Sequence, residues 1–151
     1  MFFDENVILL DIDAETDEEV IRLAADELYR RGIVKDTFCE NALKREKEFP
    51  TGLYTGNLNV AIPHTDSEYV NRSQIAFVSL KNPVNFKAAD DDSVNVPVSL
   101  VFMIAMKHKH EQVDTLGTLM GLFQKQDVLQ QLLECKKIED FNNIIHKNNL
   151  Q

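Results

Sequence analysis

From Val96 to Ala105 the chain reads VPVSLVFMIA. Almost every residue of this stretch is apolar, which is typical of a central strand covered on both faces, because a strand with one wet face alternates polar and apolar residues. Asn59 to Ile62 and Gln74 to Leu80 also have the length and composition of strands. Val7 to Ile12 is a shorter strand or an extended lead-in. We therefore expect a sheet with the segment 96–105 buried inside it.

Helical patterns precede the strands. A capping-box pattern runs from Thr16 to Glu19, and apolar residues keep helical spacing behind it until Gly32, a predicted C-terminal stop. A second helix is predicted from Thr37 to Glu48. Pro50 and Gly52 end it. Its expected buried residues are Phe38, Ala42 and Leu43.

Helices are predicted again after the last strand. One apolar stripe with helical spacing comprises Val113, Leu116, Leu119, Met120 and Phe123. Further apolar patterns follow at 128–133 and 138–145. Helices before and after a run of strands predict an α/β fold, a three-layer α/β/α sandwich around a mixed β-sheet. No linker or repeat divides the chain, so we expect one domain over residues 1–151.

The formal net charge of −9 disfavours several partners. A negative surface repels the phosphate backbone of nucleic acids and anionic membrane surfaces. The longest apolar run, Val96 to Met106, is far shorter than the ~20 residues that a spanning helix needs. The residues after Met1 lack the basic region of a signal peptide, and Cys39 and Cys135 match no metal or redox spacing. We expect a cytoplasmic protein without direct membrane insertion.

One histidine follows an apolar strand in Ala61-Ile62-Pro63-His64-Thr65. Proline donates no N–H, so the strand should stop there and His64 should leave the sheet at its lip. A nucleophilic imidazole is suited to this place, with one ring nitrogen facing out and the other held from behind. Pro-His alone is a weak signal, because most such histidines are surface loop residues.

The surrounding segment makes the signal more specific. Residues 42–65 resemble the signature of the fructose/mannitol-type (type 2) enzyme IIA of the bacterial phosphoenolpyruvate-dependent sugar phosphotransferase system (PTS). In that family an R-E…P-T-G segment leads into a strand ending A-I-P-H-T. The matching residues here are Arg45-Glu46, Pro50-Thr51-Gly52 and Ala61 to Thr65. The chain is most similar to the galactitol-specific branch, and the resemblance covers nearly all of it and implies the same fold.

Phosphoryl transfer through His64 has definite chemical requirements. The attacking ring nitrogen must be neutral, so the other nitrogen should be held in a hydrogen bond that selects the tautomer. A guanidinium can hold two phosphoryl oxygens at once, and Arg45 is the candidate. On spacing alone a solvated helix charge is the better explanation of Arg45, and the resemblance reverses that preference in favour of the active-site role. Thr51 and Thr65 are candidate hydroxyl donors or ordinary turn residues.

In many relatives a second histidine opens the helix after the central strand. The leucine pattern places Gln112 at that position, with His108 and His110 just upstream in a turn expected to face solvent. Glutamine can hydrogen-bond a ring nitrogen or a phosphoryl oxygen but cannot shuttle a proton. Whether Gln112 or His110 is the second active-site group stays open. The two histidines alone do not make a zinc site, because no cysteine or spaced acidic partner accompanies them.

The resemblance implies a phosphocarrier that needs no cofactor. His64 would take a phosphoryl group from phospho-HPr through Nε2 and pass it to a cysteine of the cognate IIB protein, while the membrane component IIC imports the sugar. An apolar ring from Leu53, Tyr54, Val113 and Leu116 would exclude water during docking. One alternative is a regulatory IIA-like module whose phosphorylation state other proteins read. Another is a binding or hydrolytic domain with His64 as general base, disfavoured because no nucleophile is evident beside it.

Overall fold

The computed structural model describes residues 2–150. Within them the chain forms a five-stranded sheet and five α-helices, none of which is long and apolar enough to cross a membrane. The strands are β1 (Ile8–Ile12), β2 (Gly52–Leu53), β3 (Asn59–Ala61), β4 (Gln74–Ala88) and β5 (Asp91–Ala105). The helices are α1 (Asp17–Arg30), α2 (Phe38–Glu48), α3 (Lys109–Phe123), α4 (Gln126–Glu134) and α5 (Ile138–Lys147), with a 3₁₀ turn at Ser67–Tyr69.

A long antiparallel hairpin of β4 and β5 forms the middle of the sheet. β1 pairs in parallel with β4, and β3 pairs in parallel with β5. β2 is antiparallel to β3 and meets the far end of β4 through the pair Gly52–Ala88. The sheet is therefore mixed, as the sequence predicts, and the stretch 96–105 lies inside it.

The hairpin is longer than the sequence indicated. β4 continues well past Leu80, and β5 begins at Asp91, ahead of Val96. In the added part of β4, buried residues such as Phe86 alternate with exposed polar ones, as in a strand with one wet face. The polar residues dilute the apolar pattern there. The acidic run Asp90–Asp92 is exposed, and β5 begins within it at Asp91.

Successive side chains of β5 face opposite layers of the molecule. Val101 and Met103 belong to the core that the sheet shares with α1 and α2. Phe102 and Ile104 belong to the core shared with α3, α4 and α5, where the ring of Phe102 lies 5.4 Å from that of Phe123 between centroids. The predicted three-layer sandwich is confirmed.

Helix α1 follows its sequence signals. The Thr16 side chain accepts a hydrogen bond from the Glu19 amide at 3.2 Å, which satisfies one of the free donors of the first turn. The predicted apolar stripe is buried, and Gly32 ends the helix region with φ of 73°. A residue with a Cβ is strained in that left-handed conformation, which explains the glycine.

Helix α3 differs from its prediction in two ways. It begins at Lys109, so His110 lies in its first turn instead of preceding it. Its buried face is formed by Thr115, Leu119, Leu122 and Phe123, whereas Val113, expected in the core, is 70% exposed. The predicted stripe includes Leu119 and Phe123 of this face but not Thr115 or Leu122. The buried Thr115 hydroxyl contacts the sulfur of Met106 at 3.5 Å.

Candidate active site

His64 stays at the edge of the sheet. β3 ends at Ala61, yet the carbonyl of Pro63 accepts a hydrogen bond from the Ile104 amide at 3.0 Å, and His64 forms a parallel bridge with Ile104. The expectation that His64 leaves the sheet is therefore corrected. Proline removes a donor but keeps its carbonyl acceptor, so pairing with β5 resumes beyond it. This bridge fixes the backbone that carries the imidazole.

The His64 ring is held through one nitrogen. Its Nδ1 lies 2.8 Å from the carbonyl oxygen of Ile62. A carbonyl oxygen only accepts, so Nδ1 carries the proton and Nε2 keeps its lone pair. Burial lowers the pKa of His64 below its usual 6.5, and the positive charge of Arg45 lowers it further, against the opposing effects of the Ile62 carbonyl and Asp66. The ring is therefore neutral at pH 7, with a nucleophilic Nε2.

Arg45 lies in the last turn of α2, close enough for its charge to act on His64. Its Nη1 is 3.9 Å from Oδ1 of Asp66, and its guanidinium carbon lies 5.2 Å from the ring centroid of Phe49. Its buried Nε has no hydrogen-bond partner within residues 2–150. Asp66 is largely exposed, Arg45 is partly exposed and the two groups are 3.9 Å apart, so their ion pair is weak. The guanidinium thus retains donors for an anion that arrives beside His64.

Glu46, the residue after Arg45, is a buried carboxylate that the sequence did not indicate. Only 7% of the residue is exposed, and its two oxygens accept hydrogen bonds from the Thr51 amide and the Thr51 hydroxyl, both at 2.8 Å. Burial raises its pKa to about 7, although both bonds from Thr51 favour the charged form. Leu43, expected to be buried in α2, is only partly buried. The sequence did not predict the burial of Glu46, because Glu46 lies within the charged run Lys44 to Glu48.

The two threonines have different surroundings. The hydroxyl of Thr51 donates its one proton to the Glu46 carboxylate, and its role as a hydrogen-bond donor to the phosphoryl group stays a prediction. Thr65 follows His64 directly and is buried. Close to it in the chain, Ser67 Oγ is buried without a hydrogen-bond partner in the described part of the chain. Thr51 therefore holds the loop, and Thr65 remains a predicted donor.

Gln112 lies in the first turn of α3 and is half-buried. Because α3 follows directly on β5, whose Ile104 bridges to His64, this turn is at the same end of the sheet as His64. His108 and His110 are exposed, with their rings stacked at 5.7 Å between centroids. The role of Gln112 as second active-site group stays a prediction. The surface position of the two histidines agrees with the expectation from their lysine-rich surroundings.

The residues of the predicted apolar ring differ in exposure. Tyr54 is 61% exposed, and its hydroxyl donates to the carbonyl of Asn95 at 2.7 Å. Val113 is also exposed, whereas Leu53 and Leu116 are half-buried. Two large apolar side chains are therefore available to a docking protein. Among residues 2–150, no group of three or more His, Cys, Asp or Glu side chains could hold a metal ion.

Comparison with known proteins identifies the family to which this fold and histidine belong. Residues 1–148 match the family model of the phosphoenolpyruvate-dependent sugar phosphotransferase system, EIIA 2. The chain belongs to that family. The match spans both α2 with Arg45 and the β3 edge with His64, so the sequence resemblance is confirmed along nearly the whole chain.

Three relatives bear on function. The galactitol-specific EIIA component of Escherichia coli K12 is 34% identical over 115 residues, which are 76% of each chain. The transcriptional regulator ManR of Bacillus subtilis is 32% identical over 105 residues, 70% of this chain and 15% of that protein. Enzyme IIAMTL of E. coli, solved as a complex with phosphorylated enzyme IIBMTL, superposes with a TM-score of 0.73 at 27% identity, over 93% of this chain and 94% of that one.

Proposed function

We propose that this chain is the cytoplasmic IIA phosphocarrier of a galactitol-type phosphotransferase system. His64 accepts a phosphoryl group from phospho-HPr on Nε2 and passes it to a cysteine of the cognate IIB protein, and IIC imports the sugar. The observation that carries the proposal is the hydrogen bond from Nδ1 of His64 to the carbonyl of Ile62. It leaves Nε2 as a neutral lone-pair donor at the sheet edge.

The transfer needs only a lone pair and charge stabilisation. The Nε2 lone pair forms the new N–P bond while the bond between phosphorus and the donor's leaving atom breaks, and no proton has to leave Nε2. Nδ1–H keeps its bond to Ile62 as the ring becomes positively charged, and that carbonyl dipole stabilises the cation. The second transfer, to a IIB thiolate, reverses these roles.

Arg45 stabilises the charge on the transferred group. Its unpartnered Nε and weakly engaged Nη1 are donors that a phosphoryl oxygen can use. Thr65 and Gln112 are the further candidate donors: Thr65 follows His64 in the chain, and Gln112 lies in the first turn of α3. Arg45 lies on α2, His64 follows β3 and Gln112 lies on α3, so three different elements position these side chains. The proposed transfer needs no cofactor.

The partners follow from the surface and the relatives. The exposed side chains of Tyr54 and Val113 supply apolar contact area, and the net charge of −9 favours a basic partner surface. The complex of IIAMTL with phosphorylated IIBMTL supports a IIB protein as one partner. The relationship to the galactitol-specific EIIA component supports a galactitol-type IIB.

The similarity to ManR supports a second candidate, a regulatory module whose His64 phosphorylation is read by other proteins. Both candidates share the phosphorylation step. Incubation with phosphoenolpyruvate, enzyme I and HPr should add one phosphate, about 80 Da by intact mass, and subsequent addition of galactitol-type IIB should remove it. If this chain keeps its phosphate in the presence of every IIB protein tested, the regulatory candidate is favoured. If the chain is not phosphorylated at all, both candidates are rejected.

A further inference from the structure

A continuous series of hydrogen bonds connects the buried Glu46 to the imidazole of His64. Thr51 donates its amide and its hydroxyl to the Glu46 carboxylate, each at 2.8 Å. The Thr51 carbonyl accepts from the Ile62 amide at 3.3 Å, and the Ile62 carbonyl accepts from His64 Nδ1 at 2.8 Å. Two residues, Thr51 and Ile62, thus connect the carboxylate in α2 to the nucleophile on the β3 edge.

The loop in the middle of this series has little room to shift. A Cβ built on Gly52 would lie 2.6 Å from the backbone oxygen of Lys87, and the Gly52 carbonyl accepts from the Ala89 amide at 2.9 Å. Gly52 therefore lies directly against the end of β4, where only glycine fits. On its other side, Thr51 is held by Glu46. The peptide that carries Thr51 is consequently fixed between α2 and the hairpin.

Ile62 is held from both directions as well. Its amide is bound to Thr51, and the next residue, Pro63, accepts from Ile104 of β5. The direction of the Ile62 carbonyl therefore depends on the loop as well as on the sheet. Because this carbonyl selects the tautomer of His64, a displacement of Thr51 should reach the imidazole.

We infer that Glu46 is a positioning residue that holds His64 in the Nδ1–H tautomer through Thr51 and Ile62. The kinetic part of this inference rests on the proposed phosphocarrier function, and the tautomer part does not. Glu46 touches no transferred group itself. The charges around the series are Asp17 near Glu46, and Arg45 and Asp66 near His64. None of them donates to the Glu46 carboxylate within the described residues, so Thr51 is its one partner there.

The test uses the full-length protein and four variants. Glu46→Gln and Thr51→Val weaken the first link at little change in shape: Glu46→Gln replaces the charged acceptor by a neutral amide, whose hydrogen bonds are weaker, and Thr51→Val removes the hydroxyl bond. Thr51→Ser keeps the hydroxyl and should therefore behave like wild type. Glu48→Gln is the matched control, an exposed glutamate at the end of the same helix. Ring ¹⁵N chemical shifts of His64 at pH 8 report the tautomer, and single-turnover phosphorylation by phospho-HPr reports the rate.

Wild type, Thr51→Ser and Glu48→Gln should show a single tautomer protonated on Nδ1. Glu46→Gln and Thr51→Val should show a mixture with the Nε2–H form, and phosphorylation about tenfold slower with unchanged KM for phospho-HPr, a size typical of groups that orient a reacting histidine. Wild-type ¹⁵N shifts in both variants would overturn the inference. If wild type accepts no phosphate, the proposed function fails, and the ¹⁵N shifts still decide whether Glu46 positions His64.

Discussion

The Nδ1 atom of His64 and the carbonyl oxygen of Ile62 are 2.8 Å apart across the intervening Pro63. The bond is local, yet two long-range contacts maintain it, because Ile62 is bound to Thr51 and Pro63 to Ile104. A local Ile-Pro-His sequence is therefore held in one conformation by β5 and by the loop after α2. A neutral imidazole with Nε2 unprotonated results, and its reactivity leads to the following predictions.

His64→Ala should abolish phosphorylation by phospho-HPr. The side chain is only partly buried, so its loss should leave the fold intact, with a melting temperature within a few degrees of wild type. Intact mass after incubation with the phosphoryl donors is the measurement. His146→Ala, which changes an exposed histidine of α5, is the control and should accept one phosphate. A phosphorylated His64→Ala protein would show that the proposed site is wrong.

Protonation of His64 should slow phosphorylation only at a pH below that at which an ordinary histidine gains a proton. Burial lowers the pKa of His64 below 6.5, so Nε2 keeps its lone pair down to a lower pH than in an ordinary histidine. The rate should then fall at lower pH, as Nε2 becomes protonated. NMR titration of the His64 ring gives the midpoint independently. A midpoint at or above 6.5 would contradict the effect of burial.

Arg45→Lys should slow phosphoryl transfer by about an order of magnitude with little change in melting temperature. Lysine keeps the charge but loses the planar fork that can bind two phosphoryl oxygens. Arg22→Lys is the matched control, because Arg22 is an exposed arginine of α1 paired only with Glu18 within the described residues. Stopped-flow or quench kinetics with phospho-HPr measure the effect. Wild-type rates in Arg45→Lys would mean that Arg45 is a solvated helix charge without a role in the transfer.

Glu46 should make the protein less stable as the pH rises. Its folded pKa of about 7 lies above the usual 4.5, so between these values the native state holds a proton that the unfolded chain has lost. The free energy of unfolding therefore falls with rising pH, by about 3 kcal/mol across the window from this group alone. Urea denaturation at pH 5, 6, 7 and 8 should show this decline in wild type relative to Glu46→Gln.

Other titrating groups are common to both proteins and cancel in that difference. Parallel curves for wild type and Glu46→Gln would mean that Glu46 titrates normally. Glu48→Gln again serves as control, because it makes the same substitution at an exposed position of the same helix.

The sequence predicted those elements whose apolar pattern is undiluted. The inner part of β5 is almost wholly apolar and covered on both faces, and the buried stripe of α1 is flanked by a threonine cap and a glycine stop. The outer hairpin was missed because polar residues alternate with its buried ones. The buried face of α3 was predicted only at Leu119 and Phe123, and Thr115 was missed because its contact with Met106 exists only in the folded chain.

The residues of the candidate site also include some that the sequence predicted and one that it did not. His64 was predicted from a local motif, and its association with Arg45 from the family signature, since the residues between them give no distance. Burial of Glu46 could not be predicted, because its neighbours in α2 are charged and exposed. A buried carboxylate is tolerable only with matched donors, and both donors come from Thr51, which the chain brings back after a turn at Pro50.

The last prediction concerns the second active-site group. Gln112→Ala should slow phosphoryl transfer, whereas His108→Ala and His110→Ala should not. Gln112 is half-buried in the first turn of α3, at the end of the sheet where Ile104 bridges to His64, while both histidines are exposed and stacked on each other. Transfer rates from phospho-HPr for the three variants provide the measurement. A silent Gln112→Ala with a crippled His110→Ala would make His110 the second group and this chain closer to the mannitol-type branch.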